Sequence, residues 1–258
     1  MIKAIFFDID GTLVSFNTHT IPQSTLEAVK EVRKKGIKVF IATGRPMPFI
    51  NNLGTLEYDG IMSVNGANIM LKDGTNILHK PVDKSDVERM VKFQSSTPLP
   101  VAYATNDEAF VTHYNESFHE VFELLDLDTP QVLPAEEALK MEIIQVIAFF
   151  TQKDEPFIMD NILTHCDAQR WHPSFADCIA KGNNKATGID AVCRYLGIDI
   201  SETMAFGDGG NDMQMLRHAG IGIAMGNASD EVKSCAKMVT ETVDNDGIAR
   251  ILRQIDKF

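Results

Sequence analysis

Short apolar runs that end in polar clusters recur near both ends of this 258-residue chain. The run Ala4–Phe7 precedes an acidic cluster, residues 39–42 precede a Thr-Gly-Arg sequence, and residues 203–206 precede a glycine-rich acidic cluster. Helical patterns lie between these runs, and Gly36 marks a stop for the first of them. Continuous apolar runs suit parallel strands buried on both faces, so the alternation predicts a parallel α/β sheet.

The middle of the chain mixes helix and strand patterns without that regular alternation. Its predicted elements are helices at 84–93, 118–127 and 154–163, and strands at 101–104, 109–112, 143–150, 169–171 and 175–179. The alternation resumes with a helix predicted at 185–196. The simplest architecture is a Rossmann-like α/β core made of residues 1–80 and 181–258, interrupted by an inserted α+β unit at residues 81–180.

The chain is acidic, which restricts its partners. It has 36 Asp and Glu residues against 24 Lys and Arg residues, a formal net charge of −12, and no basic run. We therefore expect neither nucleic acid nor an anionic membrane as a partner. A phosphate site in such a chain must be built locally, from a few cations, backbone N–H groups and a metal ion.

The cysteines and the N-terminal residues indicate where in the cell the protein is expected. No two of the four cysteines form a CxxC pair, so we expect free thiols in a reducing cytosol. The N-terminal residues reach Asp8 without the apolar region of a signal peptide, and no stretch approaches ~18 apolar residues. We expect a soluble, cytoplasmic protein, and nothing in the sequence indicates its oligomeric state.

The first polar cluster is Asp8-Ile9-Asp10-Gly11-Thr12, directly after the first apolar run. Ligands of open α/β sheets bind beyond the carboxyl ends of the strands, where two carboxylates two positions apart can converge. Asp8 can attack phosphorus as a nucleophile, and Asp10 can give a proton to the leaving oxygen and later take one from water. Taken alone, the residues are explained equally well by a capping and a turn aspartate.

Two further groups offer contacts for phosphate. Thr43, Gly44 and Arg45 follow the second run, where a hydroxyl and exposed backbone N–H groups suit phosphate oxygens. Lys185 opens a predicted helix and can neutralise phosphate and nucleophile as a compact cation. Taken alone, the first group is explained by a turn and the lysine by a solvated side chain.

The glycine-rich acidic cluster at residues 207–212 offers ligands for a metal ion. Asp208, Asn211 and Asp212 present the oxygen ligands that Mg²⁺ prefers, and the glycines let the backbone turn sharply. Asp212 can also cap the helix that follows. This long and unusual cluster favours a magnesium site even when taken alone.

Together the four groups follow successive strands in one consistent order, and the conjunction resembles the haloacid dehalogenase (HAD) superfamily of phosphatases, in its Cof-type branch with a C2-type cap. The matching segments are FFDIDGTL (6–13), IATGRP (41–46), KGNNK (181–185), AFGDGGNDMQML (205–216) and the weaker NGA (65–67) and AMGNAS (224–229). The resemblance covers both segments of the core. It matches residues 81–180, here called the cap, mainly by position and length.

The resemblance implies roles for individual residues. Asp8 is implied as the nucleophile and Asp10 as the general acid and base, with Thr43 and Lys185 assisting catalysis. The implied phosphate-binding residues are Thr43, Gly44, Arg45, Asn65, Lys185 and Asn211. The implied magnesium ligands are Asp8, the backbone carbonyl of Asp10, Asp208, Asn211 and Asp212, the last two acting directly or through water. Lys181 is a second candidate for the lysine role, but the family spacing favours Lys185, although Ala186 stands where relatives often have glycine.

The implied activity is Mg²⁺-dependent hydrolysis of a small phosphorylated metabolite through an aspartyl-phosphate, with sugar phosphates as the expected class. A phosphomutase of the same superfamily and a catalytically idle binding protein are the alternatives. Retention of both Asp8 and Asp10 argues against the idle protein, and the metal cluster argues against a dehalogenase. We expect the cap to close over the site and to select the substrate, with residues 170–177 contacting the substrate or the hinge.

Overall fold

Two β-sheets built from different parts of the chain form the molecule, and the computed structural model describes residues 1–258. The strands are β1 (Ala4–Phe7), β2 (Lys38–Ala42), β3 (Gly60–Ser63), β4 (Asn68–Leu71), β5 (Asn76–His79), β6 (Val101–Ala104), β7 (Ala109–Val111), β8 (Gln131–Val132), β9 (Gln145–Ala148), β10 (Cys166–Gln169), β11 (Ala176–Ala180), β12 (Thr203–Gly207), β13 (Ile221–Ala224) and β14 (Met238–Val239). The α-helices are α1 (Gln23–Lys34), α2 (Lys84–Gln94), α3 (Glu116–Leu124), α4 (Glu155–Asn161), α5 (Lys185–Leu196), α6 (Met213–His218), α7 (Asp230–Lys233) and α8 (Gly247–Leu252).

The first sheet has the strand order β14-β13-β12-β1-β2-β3-β4-β5. Its strands from β14 to β3 run parallel, while β4 and β5 form an antiparallel hairpin at one edge. The central strand β1 has β2 on one side and β12 on the other. The crevice beyond the carboxyl ends of these three strands is therefore a topological switch point, the usual ligand position in such sheets.

Helices cover both faces of this sheet, as the continuous apolar runs require. Ile5 and Phe7 point into a core shared with α1 and α8, whereas Ala4 and Phe6 point into a core shared with α5 and α6. All four of these side chains are fully buried. The predicted α/β fold is confirmed, and the two helical layers leave the carboxyl edge of the strands open for polar residues.

The second sheet lies within the cap and has the order β10-β11-β9-β6-β7-β8. One face packs against α2 and α4. The other face packs against α3 in an aromatic cluster that also takes in Phe49 of the core. The ring of Phe49 meets that of Phe122 edge to face, with 5.5 Å between centroids. This cluster joins the cap to the carboxyl edge of the first sheet.

Several elements of the cap differ from their predicted positions. The prediction of a strand at 169–171 was wrong, because the strand is Cys166–Gln169 and the chain then turns. The Arg170 guanidinium donates to the carbonyls of Phe150, Pro173 and Phe175, which holds that turn together. The strand predicted at 143–150 is limited to Gln145–Ala148.

Helix α3 and strand β8 show why a hydrophobic pattern does not predict such boundaries. The helix predicted at 118–127 begins earlier, at Glu116, because Asn115 caps it by accepting from the Phe118 N–H at 2.8 Å. It ends at Leu124, before Asp126, which has a left-handed φ of 51°. Strand β8 was not predicted, since its two exposed residues form no pattern.

The structure can be compared with the expected domain division, the expected free thiols and the expected absence of a membrane span. All strands of the second sheet lie between residues 101 and 180, but the division into domains at 81 and 180 stays a prediction. The four cysteines are buried free thiols, as expected. The molecule contains no helix with the length and apolar character needed to cross a bilayer.

Close backbone packing behind the crevice gives a prediction about stability. A Cβ on Gly222 in β13 would overlap the backbone of Leu216 in α6, so we expect Gly222→Ala to lower the free energy of unfolding by about 3 kcal/mol. Gly74 is a matched control: it has a φ of 87° but no neighbouring atom within 4 Å of its Cβ position, so Gly74→Ala should cost only about 1 kcal/mol. Urea unfolding measures both changes, and an equal or smaller loss for Gly222→Ala would contradict the close packing.

Candidate active site

Lys185 occupies the centre of the polar cluster beyond the first sheet. Its ammonium group donates to Asp8 Oδ1 and to Asp212 Oδ1, at 2.6 Å in each case, and its side chain is fully buried. Asn184 caps the helix by accepting from the N–H groups of Ala186 and Thr187. These two hydrogen bonds fix the first turn of α5 and direct Lys185 into the crevice. Lys181 is exposed, so the structure brings Lys185 and not Lys181 to the site.

The charges in this cluster shift one another's pKa values. Burial raises the pKa of Asp8 well above its ordinary value, and nearby Asp212, Asp208 and Asp10 raise it further, against the opposing effect of Lys185. For Lys185, burial lowers the pKa, but the carboxylates of Asp212 and Asp8 more than offset this and raise it. The site therefore holds a protonated lysine beside Asp8, whose carboxyl group is costly to ionise.

Three carboxylates converge in a group that could hold a metal ion. Oxygens of Asp8, Asp208 and Asp212 all lie within 4.8 Å of one another. Burial, followed by repulsion from Asp212, raises the pKa of Asp208 to about 7. The backbone carbonyl of Asp10 accepts no hydrogen bond from the protein. A concentration of oxygen ligands with excess negative charge and a free carbonyl fits a divalent cation such as Mg²⁺.

The Asp212 oxygens already have partners. Oδ1 accepts from Lys185, while Oδ2 accepts from the backbone N–H groups of Asp208 and Gly209 at 3.0 and 2.9 Å. Asp212 thus folds the loop around its own carboxylate and holds Asp208 in place. This pattern suits a supporting role beside the metal better than direct ligation.

Two residues that the sequence did not single out hold Asp208 from the other side. Thr12 Oγ1 donates to Asp208 Oδ1 at 2.7 Å. Asn227 Nδ2 donates to Asp208 Oδ2 at 3.1 Å and to the carbonyl of Gly11 at 2.9 Å. Both residues lie inside segments that carried the resemblance, but only their contacts show what they do.

Arg45 is engaged within the protein. Its Nε and Nη2 groups donate to the two oxygens of Asp10 at 2.8 and 2.6 Å. Nη1 donates to the carbonyl of Phe49, and Nη2 also donates to the carbonyl of Leu125 in the cap. The guanidinium is therefore occupied by Asp10 and two carbonyls, which leaves the predicted phosphate contact of Arg45 unsupported by its present geometry.

The remaining predicted phosphate-binding residues lie together at the crevice. Thr43, Gly44 and Asn211 line its cavity, and the N–H of Gly44 makes no hydrogen bond within the protein. Asn211 Nδ2 donates to Asn65 Oδ1 at 3.0 Å, while the buried Asn65 Nδ2 has no partner. Asn65 adopts a left-handed φ of 47°, which asparagine tolerates. Asn65 thus takes one N–H of Asn211, while the Gly44 N–H and Asn65 Nδ2 stay without a partner in the protein.

A cavity of about 390 Å³ opens beside these residues, between the core and the cap. Asp8, Asp10 and Asp208 line its core side, while Trp171 and Phe175 belong to its cap side. Trp171 meets Phe175 edge to face at 5.1 Å, and Phe175 belongs to the cluster that joins cap and core. The structure thus brings all the predicted site residues to one cavity or its immediate wall. Their individual roles stay predictions.

The chain is similar to known proteins over nearly its whole length. The family model described as haloacid dehalogenase-like hydrolase matches residues 5–252. The putative phosphatase YkrA of Bacillus subtilis is 33% identical over 270 residues, which cover 98% of this chain and 97% of that protein. The 5-amino-6-(5-phospho-D-ribitylamino)uracil phosphatase YitU of the same organism is 28% identical and covers 97% of this chain and 96% of its own length.

Solved structures agree with these relatives. The structure described as the HAD subclass IIB sugar phosphatase BT4131 is 41% identical, with a TM-score of 0.91 over 99% of this chain and 100% of that one. The structure of BT1666 from Bacteroides thetaiotaomicron, described among phosphatases of the haloalkanoate (HAD) superfamily, is 38% identical with a TM-score of 0.90, over 100% of this chain and 96% of that one. The predicted fold and the resemblance are confirmed.

The buried lysine gives a prediction about stability and pH. Lys185→Met leaves Asp8 and Asp212 buried without their cation, which costs about 3–5 kcal/mol when both are ionised. A buried carboxyl with a raised folded pKa lowers the stability increasingly as the pH rises from its unfolded pKa, about 4, towards its folded pKa, and it has no such cost below that range. We therefore expect the loss in free energy of unfolding, measured with urea in metal-free buffer, to be larger at pH 8 than at pH 5.

The exposed Lys181 supplies the control for this experiment. Lys181→Met removes the same charge from the same loop without uncovering a buried carboxylate, so its effect should be small and independent of pH. A loss for Lys185→Met that did not change with pH, or that shrank as the pH rose, would contradict the electrostatic role of Lys185.

Proposed function

The chain belongs to the haloacid dehalogenase-like hydrolase family and is a phosphatase, and on this basis we propose that it is a magnesium-dependent phosphomonoester hydrolase that uses Asp8 as its nucleophile. The observation that supports the proposal most directly is the Asp8 carboxylate at the cavity wall. Lys185 holds one of its oxygens at 2.6 Å, while Oδ2 accepts no hydrogen bond within the protein. Asp8 is therefore fixed in direction and has a free oxygen for attack.

The first chemical step forms a bond between Asp8 and phosphorus and breaks the bond from phosphorus to the leaving oxygen. Asp10 gives its proton to that oxygen. In the second step water attacks the aspartyl-phosphate, Asp10 takes a proton from the water, and the carboxylate of Asp8 is released with inorganic phosphate. Arg45 donates to both oxygens of Asp10 and so orients this carboxyl group at the cavity. One of the two contacts has to open when Asp10 carries the proton that it gives to the leaving oxygen.

The phosphoryl group would be held by the donors that the protein leaves available. The free N–H of Gly44, the Thr43 hydroxyl and the Asn211 amide line the cavity, and the buried Lys185 ammonium group contacts Asp8 from inside the protein. Charge that develops on phosphoryl oxygens is stabilised best by donors fixed beforehand. We assign phosphate binding to these four residues, with Asn65 orienting Asn211.

Magnesium would be held by Asp8, Asp208 and the backbone carbonyl of Asp10. Asp212 supports Asp208 from behind, and Asn211 completes the surroundings. When bound, the ion offsets the repulsion between the attacking carboxylate and the phosphate. The raised pKa values of Asp8 and Asp208 are consistent with a site that is fully ionised only beside a cation.

The substrate is proposed to be a small phosphorylated metabolite. The sugar phosphatase with 41% identity supports sugar phosphates as the first class to test, and the relative that dephosphorylates a ribitylaminouracil supports a broader range. The cavity, about 390 Å³ and covered by the cap, suits such molecules better than phosphoproteins. Nothing in the comparisons favours the phosphomutase or the idle binding protein, and a cytoplasmic location stays a prediction.

The two aspartates after β1 give a test of the activity. With p-nitrophenyl phosphate and Mg²⁺, we expect Asp8→Asn to fall to the background rate, because an amide is a far poorer nucleophile than a carboxylate. Asp10→Asn should be slower than wild type by about 10²–10⁴-fold, the usual value of general acid–base assistance. Asp160→Asn, exposed on α4, is the matched control and should retain full activity. Near wild-type turnover by Asp8→Asn would rule out the covalent mechanism.

Removal of the metal tests the carboxylate cluster. After treatment with excess chelator we expect activity to be lost, since Asp8 and phosphate are both anions. Mg²⁺ should restore it, whereas Ca²⁺ should restore little because its larger, looser coordination positions the oxygens poorly. The measurement is the rate of phosphate release during titration of each ion into the stripped protein. Full activity of the metal-free protein would refute the proposed site.

A further inference from the structure

The charged residues that line the cavity are almost all acidic. Five are carboxylates: Asp8, Asp10, Asp177, Asp208 and Glu231. The sole cation on the wall is Arg45, and its guanidinium is already occupied by Asp10 and backbone carbonyls. A phosphate group finds its partners at the floor, but a second negative group elsewhere on the substrate would meet carboxylates and no available cation.

The cap contributes one charged residue to this cavity. Eight of its nine lining residues are apolar, with Phe122, Phe149, Trp171 and Phe175 as the aromatic ones. The ninth is Asp177, at the end of the cavity that faces Gly44, and only 4% of its surface is exposed. A buried carboxyl set among aromatic rings is costly unless something pairs with it.

Only neutral groups contact the Asp177 carboxyl. The Trp171 indole and the Gln145 amide contact its carboxyl, but the Gln145 Nε2 group donates to the carbonyl of Gly44 at 3.0 Å. Gln145 Oε1 is left fully buried without a partner. The Asp177 carboxyl and Gln145 Oε1 thus place two acceptors beside the Thr43–Gly44 loop, and Gln145 Oε1 has no donor.

We propose that this end of the cavity is the subsite for the leaving group, that it selects neutral or cationic groups carrying hydroxyl or amine donors, and that Asp177 is the specificity-determining residue. The inference rests on the proposed phosphatase function and adds the charge of its substrates. A hydroxyl or ammonium group supplies the donor that Gln145 Oε1 lacks, and an ammonium group also supplies a cation to pair with Asp177. A carboxylate or a second phosphate instead adds repulsion in an enclosed site where screening by water is weak.

The preference should depend on pH. Burial raises the pKa of Asp177 to about 7, against the lowering effects of hydrogen bonding from Trp171, the charge of Lys185 and contact with Gln145. Below that pH the carboxyl is mainly neutral and can itself donate to Gln145 Oε1. Above it the carboxylate is charged, so attraction for an amine and repulsion of an anion both increase.

Three six-carbon phosphomonoesters test this subsite: glucosamine 6-phosphate, glucose 6-phosphate and 6-phosphogluconate, which carry an amine, only hydroxyls, and a carboxylate. We expect kcat/KM to fall in that order for the Mg²⁺-loaded wild-type protein. The ratio of the first to the last should drop by roughly tenfold in Asp177→Asn at pH 8, the order expected from one lost charge in a partly desolvated site. Where turnover is slow, inhibition constants against p-nitrophenyl phosphate give the same ratios.

The controls separate this inference from the proposed function. Asp160→Asn removes an exposed charge from the cap and should leave the ratio unchanged. Comparing Asp177→Asn with wild type at pH 6 and pH 8 cancels titration of the substrates themselves, and the difference between the proteins should be larger at pH 8. If p-nitrophenyl phosphate is hydrolysed but Asp177→Asn keeps the wild-type ratio, or none of the three compounds reacts or inhibits, the subsite is refuted. If no phosphomonoester is hydrolysed, the proposed function itself fails.

Discussion

The buried ammonium group of Lys185 connects the three segments on which the site depends. It joins Asp8 at the end of β1 to Asp212 after β12, residues that lie 177 and 27 positions from the lysine along the chain. Paired charges in a protein interior roughly offset the cost of removing them from water and add little net stability. These ion pairs act here by fixing geometry, because moving any one of the three segments would leave a buried charge without its partner. The nucleophile, the metal loop and the start of α5 are thereby held in one arrangement.

Most of the core site could be predicted because its information is local. Each predicted cluster directly follows an apolar run, and the carboxyl ends of parallel strands meet at one edge of the sheet. Asp8, Thr43 and Asp208 therefore converge once the strands are placed. The sequence left two lysines as candidates for the same role. The structure favours Lys185, which is buried and follows the helix-capping residue Asn184, over Lys181, which is exposed.

What could not be predicted depends on contacts between distant segments. Thr12 and Asn227 approach Asp208 from positions 196 and 19 residues away, and no pattern in the sequence pairs them. Phosphate binding by Arg45 stays a prediction, but its contacts with Asp10, Phe49 and Leu125 could not be inferred from the sequence. The ends of the cap strands shifted for the same reason, since side chains such as Arg170 fix turns that hydrophobic periodicity does not record. The contact of Arg45 with Leu125 also means that one side chain contacts both the cap and Asp10.

The central claim is that Asp8 carries the phosphoryl group between the two steps. The most direct measurement is to quench the wild-type protein in acid during turnover of p-nitrophenyl phosphate with Mg²⁺, reduce it with borohydride and map its peptides by mass spectrometry. Borohydride converts an aspartyl-phosphate to homoserine, so we expect homoserine at position 8, dependent on both substrate and Mg²⁺. Homoserine at another aspartate, or steady phosphate release with unmodified Asp8 in every quenched sample, would contradict it.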